Sequence, residues 1–177
     1  MVAPPRMLDI GFGNGQNLCN FADAGYQTTG VDFSEKMCEL GRKTSPKSEI
    51  ICGDILNLTF PTGHFDVISM ISLACQFPPD DARRLLQKVK TWLKPDGCIY
   101  ISTSVEDNEK SGIFPKTTIG FSELADKTIA RFRTNYTLDS FVNLIESSGF
   151  EILIPFLIQE PLKLNRIFQG YICHPQP

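Results

Sequence analysis

Histidine is almost absent from this chain: two occur in 177 residues, beside a single tryptophan. None of the six cysteines (Cys19, Cys38, Cys52, Cys75, Cys98, Cys173) stands in a C-x-x-C pair, and only Cys173 has a histidine beside it, His174. That spacing supplies neither a zinc-ligand set nor a disulfide framework, so no metal site is expected. Cys19, Cys52 and Cys98, set among apolar neighbours, read as small core residues in a reducing compartment. An excess of positive charge is missing too. The formal net charge is -3, which leaves no global basic field to draw the chain to nucleic acid or anionic lipid. The longest largely apolar run, Val67 to Cys75, is too short to span a bilayer and carries serines. No signal-peptide pattern opens the sequence, and a cytoplasmic location is the default expectation. With 42% hydrophobic and 21% charged residues, the composition is that of an ordinary globule, and residues 1–177 are expected to form one domain without repeats or linkers.

What is present in abundance, early in the chain, is glycine at a strand end. An apolar run opening on Met7 and Leu8 leads into Asp9-Ile10-Gly11-Phe12-Gly13-Asn14-Gly15, and Gln16 onward reads as a helix. A strand, a glycine turn and a helix make a ligand-binding junction. The backbone approaches the ligand closely, and the first helical amides point outward as unsatisfied donors. Gly11 and Gly13 fit the first two positions of the dinucleotide fingerprint G-x-G-x-x-G, but Gln16 stands where its third glycine belongs. An aspartate two places before the first glycine also suits a cationic ligand better than a pyrophosphate.

The elements that follow alternate. Leu18, Phe21 and Ala22 keep helical spacing up to Gly25; Tyr26 to Val31 is a second strand ending at Asp32; Ser34 caps a helix with Met37 and Leu40 on one face. Asp32 lies about 20 residues beyond the glycine turn, where doubly wound folds place an acid for ribose hydroxyls, although an acid at a helix start is also favoured by the dipole. Glu49 to Cys52 is a short third strand, and Gly53-Asp54-Ile55 at its end reads as a turn. No room remains for a helix before the fourth strand, Phe65 to Ile71; His64 is expected exposed in the preceding turn, without a partner. Pro78 to Asp81 opens a helix carrying Ala82, Leu85, Leu86, Val89 and Leu93, whose Lys88, Lys90 and Lys94 read as a solvated face. After the turn Pro95-Asp96-Gly97, Cys98 to Ser102 is a fifth strand. Thr137 caps a last helix, and Phe150 to Leu157 and Ile167 to Cys173 must pair antiparallel because their connection is too short for a crossover helix.

The series D-x-G-x-G-x-G, Gly30-Val31-Asp32-Phe33-Ser34, Asp54-Ile55 and Leu93-Lys94-Pro95-Asp96-Gly97 resembles the class I S-adenosylmethionine-dependent methyltransferases of small-molecule type, across essentially the whole chain. The resemblance implies a three-layer αβα sandwich whose seven-stranded, mostly parallel sheet has the order 3-2-1-4-5-7-6, with the last strand antiparallel. It implies S-adenosyl-L-methionine as cofactor, S-adenosyl-L-homocysteine as product and a small-molecule acceptor as partner. Asp9, Gly11, Gly13, Asn14 and Gly15 would then hold the methionine end, and Asp32 the ribose. Phe33 would lie along the adenine or staple the helix entry. Asp54 and Ile55 would meet the base. Met70 and Ile71 would line the cofactor or end in the core. Ser72 to Phe77, with Ser72 and Gln76 foremost, would face the substrate. The irregular stretch 105–136 departs from the alternation and is expected to act as lid or substrate segment, with Phe114, Arg131, Arg133 and Tyr136 as substrate candidates that packing explains equally well. No catalytic base stands out, and Cys75 is expected to be buried wall. Few residues precede Met7 where the family places closing helices, so a homodimer or a partner chain supplying the lid stays open. So do a non-catalytic S-adenosylmethionine-binding module and, less favoured, an NAD-type oxidoreductase.

Overall fold

The computed structural model describes residues 3–105, 110–114, 131–159 and 167–176, with backbone alone at 110, 111, 113, 114, 131, 157–159 and 167. The first half alternates as expected: β1 (Arg6–Ile10), α1 (Gln16–Asp23), β2 (Gln27–Asp32), α2 (Glu35–Thr44), β3 (Glu49–Cys52) and β4 (Phe65–Ile71). A short 3-10 turn, Ala74–Gln76, leads into α3 (Pro79–Trp92) and β5 (Leu93–Val105). β6 (Lys110–Phe114) and β7 (Arg131–Asn135) form a separate antiparallel pair, followed by α4 (Leu138–Ser147), β8 (Phe150–Gln159) and β9 (Ile167–Pro175).

The main sheet runs β3-β2-β1-β4-β5-β9-β8. β1 to β5 are parallel, and β9 enters antiparallel between β5 and β8. This is the predicted order and the predicted reversal, with two strand numbers added by the small β6–β7 pair. Parallel strands buried on both faces need helices on both. Leu18 of α1 and Cys38 of α2 pack with Met7 and Phe12 on one face. On the other, Leu85 and Val89 of α3 and Phe141 and Ile145 of α4 join Leu8, Ile68, Ile99 and Ile101 in the larger core. Helix entries follow their caps: Ser34 Oγ accepts from the Met37 amide, and Thr137 and Ser140 form a reciprocal capping box.

Several local expectations change. Residues Lys94 to Gly97 do not simply precede β5. Phe65 pairs with Leu93 and Val67 with Cys98, so four residues bulge opposite Asp66. Gly97 is required there, since a Cβ would lie 3.0 Å from the Asp66 carbonyl oxygen and 3.1 Å from that of Phe65. Asp66 ties the amino edge of the sheet together, accepting from the Arg6 amide at 2.7 Å and from Lys94 Nζ at 2.6 Å. His64 is half-buried rather than exposed: its Nδ1 lies 3.3 Å from Arg6 Nη1 and its ring meets Phe65 edge-on. The lysines of α3 are not merely a solvated face either, because Lys88 Nζ donates to the carbonyls of Leu56 and Leu58. In α2 the buried positions are Cys38 and Gly41, with Leu40 exposed. The Phe12 ring presses on Gly41, where a Cβ would come within 2.5 Å of it, so only a glycine fits beneath the ring.

Candidate functional site

The glycine run bends as it does because Gly11, Gly13 and Gly15 all hold positive φ, at 72°, 58° and 80°. Side chains at those positions would strain the backbone. The loop is anchored at each step. The Gly11 amide donates to the Val31 carbonyl at 2.7 Å, the Gly13 amide to Asp32 Oδ2 at 3.2 Å, and the Gly15 amide to the Phe12 carbonyl at 3.1 Å. Above the carboxyl ends of β1 to β4 this leaves a cavity of about 600 Å³. Open parallel sheets bind ligands at that end.

Six of the residues expected to contact the cofactor line this cavity: Gly11, Asp32, Phe33, Asp54, Ile55 and Ile71. Asp32 stands between loop and helix, with Oδ1 taking the Ser34 amide at 2.9 Å and Oδ2 the Gly13 amide. Asp54 forms its own turn, accepting from the Leu56 amide at 2.9 Å and from Asn57 Nδ2 at 3.2 Å. Both acids therefore shape the backbone and present carboxylate to the cavity. Phe33 is 79% exposed at the mouth, a large apolar surface without a partner in the described residues.

The other five lie elsewhere. Gly15 packs against α2, where a Cβ would sit 3.1 Å from Gly41 Cα, so its role is close approach of loop to helix. Asn14 accepts from the Gln16 amide at 3.1 Å and caps α1 in place of a side chain at Gly15. Gly13 borders open space, with nothing within 4 Å of where a Cβ would be, but lies outside the cavity lining. Met70 is fully buried in the larger core, because alternate residues of β4 face opposite sides and Ile71 takes the cavity side.

Asp9 is 1% exposed and sits below the loop. Its Oδ1 accepts from Ser69 Oγ at 2.5 Å, while Oδ2 is buried with no partner among the described residues. Burial pushes its pKa up to about 6; the Ser69 hydrogen bond opposes that rise, and the charge of Asp32 adds to it. A buried carboxylate left half-satisfied is costly, and it marks a place where a donor or a positive charge would be welcomed.

On the expected substrate side, Ser72 and Gln76 line the cavity, and Ser72 holds φ at 52°, a left-handed conformation rare outside glycine. Arg133 instead donates to Ser104 Oγ and Asn135 Oδ1, away from the lining. Tyr136 is core, 1% exposed and stacked at a tilt on Phe141. The side chains of Phe114 and Arg131 lie outside the described residues. Cys75 is buried, with its thiol on the Ser72 carbonyl, and does not reach the cavity. Reasoning from sequence missed Ile10, Val31, Ser34, Met37, Gly53 and Leu56 as lining, while Leu73 and Phe77 fall in the stretch expected to face the substrate. Two of these had a signal: Met37 is in the first turn after the Ser34 cap, and Leu56 immediately follows the Asp54-Ile55 pair.

A family profile described as a methyltransferase domain matches residues 8–101. The chain is 28% identical over 167 residues to a demethylmenaquinone methyltransferase of Thermotoga maritima, covering 85% of this chain and 72% of that protein. It is 34% identical over 101 residues to a biotin biosynthesis bifunctional protein of Cellvibrio japonicus, covering 55% of this chain but 19% of that one. Among solved structures, the 1,6-didemethyltoxoflavin-N1-methyltransferase of Burkholderia thailandensis, with 1,6-didemethyltoxoflavin and S-adenosylhomocysteine bound, superposes with a TM-score of 0.78 at 18% identity. That match covers 98% of this chain and 72% of the other. The profile match, the strand order and the glycine loop agree, and the chain belongs to the methyltransferase-domain family, with the Rossmann-like fold of the class I S-adenosylmethionine-dependent methyltransferases.

Proposed function

We propose that the chain is a methyltransferase that binds S-adenosyl-L-methionine in the cavity above β1 to β4 and passes the methyl group to a small-molecule acceptor. The observation that carries this reading is the order of the lining. A glycine loop ends β1, a carboxylate ends β2, a carboxylate and an apolar side chain follow β3, and an apolar residue ends β4. That order suits an amino-acid end, a ribose and a base laid along the strand ends. Each oxygen of Asp32 takes one backbone amide and keeps acceptor capacity for a hydroxyl. Phe33, Ile55 and Leu56 offer apolar surface for a flat base beside Asp54. The unpaired Oδ2 of Asp9 supplies negative charge beneath the loop, which favours a ligand bearing an ammonium group.

The bound cofactor's sulfonium supplies the activated methyl group. The chain's own residues have then to bind, align the acceptor behind the methyl carbon for in-line displacement, and exclude water. Ser72, Leu73, Gln76 and Phe77 form the wall nearest that task. The relatives from Thermotoga maritima and Burkholderia thailandensis are both named for small-molecule acceptors, which supports the acceptor class. An NAD-type ligand is disfavoured by Gln16 at the third glycine position and by the buried Asp9. Calorimetric titration with S-adenosylmethionine, S-adenosylhomocysteine and NAD tests the reading: the first two are expected to bind, and binding of NAD alone overturns it. Binding with no S-adenosylhomocysteine produced from any quinol or heteroaromatic acceptor would leave a non-catalytic cofactor-binding chain.

A further inference from the structure

Two cysteines meet directly behind the cavity wall. Cys38 lies in α2, one residue past the cavity-lining Met37, and is fully buried. Its thiol lies 3.4 Å from the Asp32 carbonyl oxygen and 4.0 Å from that of Ile51, so it sits across the ends of β2 and β3. Cys52 is the last residue of β3 and pairs in register with Asp32. Ile50, two residues before it, packs in the core beneath α1 and α2, so the strand's alternation turns Cys52 to the same face as Cys38. With the Cys38 thiol against the Ile51 carbonyl, this places the Cys52 side chain beside it, and the Cys52 residue is exposed to solvent. The sequence offered no C-x-x-C pair; the fold makes a pair from residues fourteen positions apart.

We propose that Cys38 and Cys52 are a redox-active dithiol that closes to a disulfide under a low-molecular-weight disulfide oxidant and thereby weakens binding in the adjoining cavity. Cys52, the exposed partner, is the attacking thiol. Its thiolate attacks one sulfur of glutathione disulfide and releases one glutathione thiolate, leaving a mixed disulfide on Cys52. Cys38 then gives up its proton and attacks the Cys52 sulfur, expelling the second glutathione thiolate. The protein loses two hydrogens and two glutathione thiols form. Burial raises the Cys38 thiol above its ordinary range, aided by the neighbouring Cys52, so closure is slower than capture of the first glutathione.

The consequence for the cavity follows from geometry. A disulfide needs a sulfur separation of about 2 Å, shorter than any non-bonded approach of two thiols. Closing it draws α2 toward the end of β3. Met37 adjoins Cys38 in the chain and Gly53 adjoins Cys52, with Asp54 one residue further on, and all three line the cavity. The effect on affinity rests on the cofactor assignment proposed above; the pairing of the thiols does not.

The test is non-reducing peptide mapping by mass spectrometry, after exposing the whole chain to glutathione disulfide, together with calorimetry using S-adenosylhomocysteine. The expected result is a cross-link between the Cys38 and Cys52 peptides, two hydrogens lighter than their sum. With it, affinity should fall roughly tenfold and recover on adding dithiothreitol. The Cys52→Ser variant, altered at an exposed position, should bind like reduced wild type and show neither change. Glutathione on Cys52 without a cross-link overturns the pairing, and a cross-link with unchanged affinity overturns the coupling to the cavity. If reduced wild type fails to bind S-adenosylhomocysteine, the cofactor assignment is what fails, and the mass map still decides the dithiol.

Discussion

The charge buried beneath the glycine loop makes a prediction in both stability and binding. Asp9 has a folded-state pKa of about 6 against an ordinary 3.8. Every tenfold change in an ionisation equilibrium corresponds to about 1.4 kcal/mol, so holding Asp9 ionised in the unliganded fold at neutral pH costs roughly 3 kcal/mol. The folded pKa lies above the unfolded one. The group's contribution to stability is therefore complete below pH 3.8 and is lost as pH rises through about 6. Asp9→Asn removes the titration. Its amide still accepts from Ser69 Oγ but buries an unpaired NH2, a pH-independent penalty of about 1 to 3 kcal/mol. Urea unfolding of the unliganded protein across pH 4 to 7 separates the two effects. The stability of Asp9→Asn relative to wild type should climb by roughly 2 to 3 kcal/mol over that range, whatever its starting offset. Because a cationic ligand favours ionised Asp9, wild-type affinity for S-adenosylmethionine should rise between pH 5 and 7, and that of Asp9→Asn should not. A stability difference flat with pH would refute the buried, half-satisfied carboxylate.

Gly41→Ala sets helix propensity against packing. Alanine gains about 1 kcal/mol in a helix interior, but its methyl would meet the Phe12 ring at 2.5 Å, an overpacking cost of about 1 to 3 kcal/mol. Net destabilisation is expected in chemical unfolding, and a stabilised variant would contradict the contact. Lys88→Met leaves the Leu56 and Leu58 carbonyls without their ammonium donor at 2.8 and 2.6 Å. It should cost about 1 to 3 kcal/mol and weaken S-adenosylhomocysteine binding, because Leu56 lines the cavity; unchanged midpoint and affinity in urea and calorimetric titrations would count against it. Asp32→Ala should weaken cofactor affinity by about 1 to 3 kcal/mol while circular dichroism shows the fold retained. Unchanged affinity would remove Asp32 from the site.

The architecture was legible because its signals are local and repeated. Most parallel strands are apolar runs closed by a turn residue, and Ser34 and Thr137 were readable as the N-caps of α2 and α4 from their residue type and place. Where a side chain's direction depends on a neighbour, sequence was weaker. Leu40 looked like core spacing, yet Cys38 and Gly41 face inward instead, with Gly41 lying against the Phe12 ring. Cys52 looked buried by its apolar neighbours, but it is the last residue of a short strand at the sheet's edge and is open to solvent. The β6–β7 pair was not announced by the sequence, because its partner residues lie 17 to 25 positions apart.

At the site, the strand-end acids combine a turn-forming role with a place in the cavity lining. Asp54 closes its own turn through the Leu56 amide and lines the cavity as well. Asp32 fixes the Gly13 and Ser34 amides and does likewise. The coincidence has a physical cause. A parallel strand must turn at its carboxyl end, the turn leaves backbone amides in need of an acceptor, and that end of the sheet is where the cavity opens. A carboxylate has two oxygens with more acceptor capacity than one or two amides consume. The residue that shapes the loop is thereby left with unused lone pairs directed at whatever fills the cavity. The three glycines divide the same labour differently: Gly11 lines the cavity, Gly13 gives its amide to Asp32, and Gly15 makes room for α2. Spacing in the sequence could mark all three as special, but only their packing partners separate the glycine that lines the cavity from the ones that hold the loop in place.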